Sequence, residues 1–199
     1  MYYYMPLVGW FYRSRLEVLV ELAGKRCRGE VLEVATGSGV LLPTLAPLSE
    51  RLCALDVHPQ MGAVHNLLEQ EGVRATLVRA SALMMPFPAA SFDSLVCASM
   101  LEHLTDPGAA IDEMLRVLRP GGLLAVGFPV RNWWMDRFFN LAGYQVKHLH
   151  PSSHRDILDA LDRRRLDYKT AAFPRWLPID LALYVCCAIS VPEAPVLDR

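Results

Sequence analysis

The 199 residues are enough for one domain of ordinary size with a substantial buried core. With 53% hydrophobic and 21% charged residues the chain is not a disordered segment, and a formal net charge of -1 gives no field to gather a polyanion. Cys27, Cys53, Cys97, Cys186 and Cys187 form no Cys-x-x-Cys pair and leave one over however four are joined, which points to a reduced, cytoplasmic compartment.

The start shows no basic region followed by an apolar leader, and the apolar stretch around Leu181 to Ile189 is far too short for a membrane span. Met1 to Tyr12 instead gathers Tyr2, Tyr3, Tyr4, Trp10, Phe11 and Tyr12 ahead of Arg13 and Arg15. Such a segment suits a helix folded over a pocket; a peripheral contact with a lipid surface is the other reading. Strand-like runs follow at about 30–35, 51–55, 74–78, 92–97 and 122–128, alternating with helix-like segments, the pattern of a parallel sheet covered on both faces. Pro59 opens a helix with Met61, Val64, Leu67 and Leu68 on one face and Gly72 past its end. Asp106-Pro107 reads as a cap and first turn for a helix burying Ile111, Met114, Leu115 and Leu118, which Pro120-Gly121-Gly122 should stop before the fifth strand starts.

Beyond Phe128 the composition changes. Residues 129–155 interleave Trp133, Trp134, Phe138, Phe139 and Tyr144 with charged residues and histidines, as expected of a variable insertion over a site, and helical spacing resumes from Asp156 to Leu161. Arg163-Arg164-Arg165, beside Asp159, Asp162 and Asp167, reads as a solvated helix end. Segments 166–173 and 179–189 are expected to be the last two strands. No linker marks a second domain, so 1–199 is read as one domain, with 1–28 as an N-terminal helical cap.

The informative stretch is Val31-Leu32-Glu33-Val34-Ala35-Thr36-Gly37-Ser38-Gly39, with Asp56 17 residues after its last glycine. A buried strand runs into a glycine turn and a helix, whose missing side chains and free N–H groups let a ligand approach the backbone. A carboxylate at the tip of the next strand can accept hydrogen bonds from both hydroxyls of a ribose. The dinucleotide fingerprint Gly-x-Gly-x-x-Gly would need a small residue at 42, where Leu42 stands, so a nicotinamide cofactor is disfavoured.

This stretch resembles the first motif of the class I S-adenosylmethionine-dependent methyltransferases, with Glu33 as its acid, Gly37 and Gly39 as its last two glycines and Ala35 departing from its first. Leu55-Asp56-Val57-His58-Pro59-Gln60-Met61, Ala80-Ser81-Ala82 with Met85-Pro86-Phe87, Phe92-Asp93, Ser99-Met100-Leu101-Glu102-His103-Leu104 and Arg116 to Gly122 continue the family's order over roughly residues 30 to 128. The resemblance implies a Rossmann-like α/β fold with a seven-stranded sheet, order 3-2-1-4-5-7-6, the last strand antiparallel and helices on both faces. It implies S-adenosylmethionine as cofactor, with Glu33, Ala35, Thr36, Gly37, Ser38 and Gly39 at its methionine end, Asp56 on the ribose, Val57, Ser81 and Ala82 at the adenine, and Ser99 bordering the methyl group. Ser81 stands where an Asp is common. The expected activity is methyl transfer to a small, hydrophobic or lipid-like acceptor. A non-catalytic cofactor-binding or scaffold subunit is the rival that Ala35 and Ser81 favour.

For the acceptor side, His103 after the fourth strand is the candidate general base. Glu102 is expected to face a helix N-terminus or solvent. Tyr12, Trp133, Trp134 and His150 are candidate acceptor contacts. His148, His150 and His154 lack the carboxylate or thiol partners of a metal site, and no metal is expected. Val96 precedes Cys97 where a Pro-Cys nucleophile would need proline, and Ala98-Ser99-Met100-Leu101 replaces the Asn-Pro-Pro-Tyr type of motif. Nucleic acid is therefore not expected as acceptor.

Overall fold

Short apolar runs become central strands when both their faces are covered, and the burial of these strands shows that arrangement directly. The computed structural model describes residues 6–59, 61–132 and 151–193, with the backbone alone for residues 6–9, 11 and 12. The strands are β1 (Glu30–Val34), β2 (Arg51–Asp56), β3 (Thr76–Arg79), β4 (Phe92–Ala98), β5 (Leu118–Pro129), β6 (Tyr168–Phe173) and β7 (Tyr184–Ser190). They form one sheet in the order β3-β2-β1-β4-β5-β7-β6. β1 to β5 pair in parallel, and β7 runs antiparallel to both neighbours. Order and direction agree with what the resemblance implied.

The pleat sorts the core into two layers. Leu32 and Val34 of β1, Leu95 and Cys97 of β4, and Leu124, Val126 and Phe128 of β5 pack with Ile111 and Met114 of α4 (Pro107–Val117) and Ile157 and Leu161 of α5 (His154–Asp162). Val31, Val96, Leu123 and Ala125 point the other way. They meet Val18 and Leu19 of α1 (Pro6–Ala23), Leu42 and Leu45 of α2 (Leu42–Leu45), and Val64 and Leu68 of α3 (Met61–Glu71). Asp106 caps α4 by accepting the Gly108 and Ala109 N–H groups, and Ser153 and Asp156 form a reciprocal capping box on α5.

Four local expectations are corrected. The helix after Gly39 is a single turn, Leu42–Leu45, followed by a 3-10 turn, Ala46–Leu48, because Pro43 suits only a first turn and Pro47 lacks the N–H that would extend it. α4 ends at Val117, and β5 already begins at Leu118, paired with Phe92; Pro120, Gly121 and Gly122 lie in an irregularity before the ladder resumes at Leu123 opposite Ser94. A Cβ on Gly122 would stand 2.7 Å from the Arg119 carbonyl oxygen, so this bulge takes glycine. The last strand starts at Tyr184 rather than 179, since Pro178 opens a 3-10 turn whose Leu181 and Ala182 N–H groups donate to its carbonyl. Finally, Arg164 is no solvated side chain: it pairs with both carboxylate oxygens of Asp112 and donates to the Gly108 and Ala160 carbonyls, which joins α4 to α5.

Gly127 of β5 lies under the ring of fully buried Tyr184, where a Cβ would stand 2.7 Å from Cε1 and 2.8 Å from Oη. Gly127→Ala is expected to lower unfolding free energy by about 1–3 kcal/mol. Gly62→Ala in α3, where a Cβ meets open space, should change it by less than about 0.5 kcal/mol. Urea titration of both variants checks the contrast.

Candidate functional site

In parallel sheets of this kind, ligands collect beyond the carboxyl ends of the strands. Here β1 and β2 are tied at that end by the Ala35 N–H, which donates to the Leu55 carbonyl at 2.7 Å. Ala35 sits at φ 60°, a left-handed conformation that disfavours any side chain by roughly 1–2 kcal/mol. The position thus asks for the glycine that this chain lacks. Gly37 follows at φ 53° with nothing within 4 Å of where a Cβ would be, so its backbone faces open space. Gly39 is confined instead, since a Cβ there would stand 2.8 Å from Val64 of α3.

Asp56, at the tip of β2, draws two loops together. Its Oδ2 accepts the Gly37 N–H at 2.7 Å and its Oδ1 the His58 N–H at 2.9 Å. A carboxylate has about four acceptor positions, so these bonds leave room for two ribose hydroxyls. Beside it lies a cavity of about 210 Å³, walled by Ala35, Leu55, Asp56, Val57, Ala80, Ser81, Ala82, Leu83, Met100, His103 and Leu104. That is below the ~300–1,000 Å³ usual for a whole drug-sized ligand, and suits the nucleoside part of a larger one. The Ser81 hydroxyl accepts the Leu83 N–H at 3.2 Å, which leaves its proton free to donate onward.

Glu33 stands at the inner end of this cradle. It is 4% exposed, and the Thr36 hydroxyl donates to its Oε2 at 2.6 Å. Burial pushes its carboxyl up to about 8, with the neighbouring Asp56 charge adding to the rise and the Thr36 bond opposing it. Burial therefore favours the protonated form of Glu33 near neutrality.

Ser99 is not among the residues that wall this cavity. At φ 57°, it donates its N–H to the Gly127 carbonyl at 2.7 Å, and its hydroxyl lies 2.9 Å from that of Tyr184. Arg15 of α1 stacks over the Tyr184 ring at 5.0 Å. His103 is exposed at the cavity mouth. Glu102 contradicts the sequence expectation of a carboxyl facing a helix N-terminus or solvent. It is 2% exposed, and among the described residues nothing donates to its Oε2; burial pushes it up to about 7. The 3-10 turn Leu101–His103 that ends β4 directs it inward while leaving His103 outside.

Of the residues singled out in the sequence, Ala35, Asp56, Val57, Ser81, Ala82 and His103 converge on one cavity, with Glu33, Thr36, Gly37, Ser38 and Gly39 in the adjoining strand end and loop. Trp133, Trp134, His148 and His150 lie outside the described residues, as does the Tyr12 side chain. His154 is buried and engaged within the fold: its Nδ1 accepts the Arg131 N–H and its Nε2 meets Asp180, both at 3.1 Å. Sequence reasoning missed Met100 and Leu104 on the wall. Their spacing of four around the Glu-His pair was the available signal. All five cysteines are free thiols, four of them buried.

Residues 32–126 match the family model described as a methyltransferase domain. The chain is 33% identical over 110 residues to the demethylmenaquinone methyltransferase of Thermus thermophilus, covering 54% of this chain and 50% of that protein. It is 38% identical over 110 residues to the ubiquinone biosynthesis O-methyltransferase of Xanthomonas euvesicatoria, covering 53% and 43% respectively. The chain thus spans about half the length of these curated relatives. An S-adenosylmethionine-dependent methyltransferase from Clostridium acetobutylicum, 12% identical, superposes with a TM-score of 0.72 over 92% of both chains, a likeness of fold. Residues 32–126 thus form a domain of the class I S-adenosylmethionine-dependent methyltransferase type.

The two raised carboxyls fix a pH dependence. Each holds its proton in the native state to about 8 (Glu33) or about 7 (Glu102), while the unfolded carboxyls release theirs near 4.5. Between those limits the native state binds more protons, so their stabilisation is complete below the unfolded value and is lost as pH rises. Glu33→Gln should therefore gain stability relative to the parent between about pH 5 and pH 8.5, read by chemical denaturation at both ends. An unchanged difference would contradict the assignment.

Proposed function

We propose that this chain transfers a methyl group from S-adenosylmethionine to a small, apolar, quinone-like or lipid-like acceptor. The observation that carries the reading is the Asp56 carboxylate, joined to the Gly37 and His58 N–H groups at the edge of an otherwise apolar cavity. The residues present fit the cofactor. Asp56 keeps acceptor positions for ribose hydroxyls, Gly37 offers open backbone, and Val57, Ala82 and the Ser81 hydroxyl suit a flat heterocycle. Glu33 and the backbone of Thr36 to Gly39 hold the methionine end.

When bound, the cofactor supplies a methyl group already activated on a sulfonium. The chain's part is to align an acceptor atom behind that methyl and to keep water out, alignment being worth on the order of 7–11 kcal/mol in favourable cases. Ser99, held by Gly127 and Tyr184, fixes the end of β4 beside the acceptor space, and His103 contacts the acceptor at the mouth. The names of two curated relatives support a quinone-like acceptor. The apolar walls support it too, and the net charge of -1 does nothing to favour nucleic acid. No described helix is long and apolar enough to cross a membrane. The rival, a cofactor-binding scaffold without turnover, rests on Ala35 and Ser81; both line the same cavity as Asp56, which supports cofactor binding under either reading and leaves turnover to separate them.

Calorimetry with S-adenosylhomocysteine is expected to show binding to the parent protein. Asp56→Ala should weaken it by about 10- to 150-fold, the loss of one or two hydrogen bonds to a charged group. Absence of binding at millimolar ligand, or unchanged affinity in a folded Asp56→Ala, would refute the proposal. Cofactor consumption with a panel of quinols and catechols, compared with oligonucleotides, tests the acceptor class: turnover is expected with the former alone, and no turnover with any acceptor favours the scaffold.

A further inference from the structure

Exposed apolar side chains normally scatter over a protein's surface. Here the large ones gather at one end. Among the described residues, Val40 and Val57 follow β1 and β2, Leu83 and Met84 follow β3, and Trp176 and Leu181 lie between β6 and β7. The β6–β7 connection belongs to the same end, because Tyr184 pairs with Phe173, the last residue of β6, and with Pro129, the last of β5. Trp10 of α1 joins it, lying edge-on to Phe173 with ring centroids 5.6 Å apart. All of them therefore surround the end of the sheet at which the cavity opens. The opposite end carries the charged cleft of Arg26, Arg28, Glu50, Asp93 and Arg119.

Local structure presents two of these side chains outward. Met84, 78% exposed, stands on a tight turn in which its N–H donates to the Ser81 carbonyl at 3.2 Å. Trp176, 79% exposed, stands on a turn closed by the Leu177 N–H and the Pro174 carbonyl, also at 3.2 Å. Charge follows the same division. Residues 80–92 carry no charged side chain at all. Arg13 is exposed three residues after Trp10, hence on the same side of α1. Exposed Arg79, at the tip of β3, donates to the neutral Val57 carbonyl at 3.2 Å. The nearby acids are engaged: Asp180 with His154 and Arg155, Glu21 with Arg175, and Asp106 in the cap of α4.

We propose that the carboxyl end of the sheet docks on the anionic surface of a lipid bilayer. Trp10 and Trp176 enter it at one edge of the sheet and Met84 at the other, with Arg13 and Arg79 on the headgroup phosphates. Exposed tryptophans beside arginines are the side chains that settle at a lipid–water boundary, where an apolar ring and a wet edge are both accommodated. The spacing of the two apolar corners favours a bilayer over a protein partner. β3 and β6 are the edge strands of a seven-stranded sheet, so the corners stand roughly 25–30 Å apart at the usual strand separation. A fluid surface receives both at once without matching their shapes. Docking of this kind does not depend on the methyl transfer proposed above; combined with it, the cavity mouth faces the phase that holds an apolar acceptor.

The test is flotation of the full chain with vesicles of phosphatidylcholine mixed with phosphatidylglycerol, against vesicles of phosphatidylcholine alone. The chain is expected to float with the anionic vesicles, more weakly as salt rises, and with a blue shift of its tryptophan fluorescence. The double variant Trp176→Ala, Met84→Ala should lower the partition coefficient by about tenfold or more, and Arg13→Gln by about fivefold. Arg28→Gln, at the charged end, should leave it unchanged. Absence of flotation with anionic vesicles overturns the proposal, and so does flotation that the double variant leaves intact or that Arg28→Gln weakens equally. Light scattering covers the other occupant: a dimer of the parent chain that the double variant dissociates, without vesicle binding, assigns the face to a second copy and overturns the proposal. Failure of S-adenosylhomocysteine to bind in calorimetry refutes the function instead, and leaves the vesicle result standing.

Discussion

Two loops that end neighbouring strands would drift apart unless something fixed their backbones, and here the Asp56 carboxylate does so. It holds the Gly37 N–H of the first loop and the His58 N–H of the second. The Leu55 carbonyl adds a second tie by accepting the Ala35 N–H, so the carboxyl ends of β1 and β2 form one rigid unit. Hydrogen bonds to a charged group contribute more than neutral ones, about 1.5–3 kcal/mol each. Rigid loops leave less conformational freedom to be lost when a nucleoside settles between them, which favours binding. The left-handed conformation of Ala35 is held by the same ties.

The electrostatic design follows from crowding acids at one end of the sheet. Glu33, Asp56 and Glu102 act on a common neighbour, Cys97, and only Asp56 has backbone donors on both of its carboxylate oxygens. Glu33 and Glu102 are buried and pushed towards their neutral forms. Such a cluster is poorly matched to an empty site and well matched to a cationic ligand, whose charge offsets what burial opposes. At the opposite end of the strands, the cleft formed by Arg26, Arg28, Asp93 and Arg119 has a different composition, and its Arg119–Asp93 pair satisfies itself.

Much of the fold was legible because its strands are short, apolar and separated by strong turn residues. β1, β2 and β4 fell where alternating elements and glycine turns put them, and the strand order followed from the family motifs. The cofactor side was legible for a related reason: Gly37, Asp56 and Ser81 act through backbone geometry and short side chains that stay close to where the chain places them. The acceptor side was not. Glu102 and His103 are adjacent in sequence, yet a 3-10 turn sends one inward and leaves the other at the surface, a distinction no periodicity carries. The partner of the Ser99 hydroxyl, Tyr184, lies 85 positions away and could not be read from the neighbouring sequence. Arg164 looked solvated until α4 brought Asp112 beside it. For Ser99 and Arg164 the deciding partner lies far along the chain.

The claim beneath all of this is that a nucleoside binds where Asp56 joins the two loops. The direct measurement is an amide nitrogen–proton NMR titration of the whole chain with S-adenosylhomocysteine. The account predicts that the largest shifts fall on Gly37, Val57, His58 and Ser81, with Gly29, Gly121 and Gly122 at the other end of the sheet unmoved. Shifts confined to that other end, or none near Asp56 at saturating ligand, would contradict it.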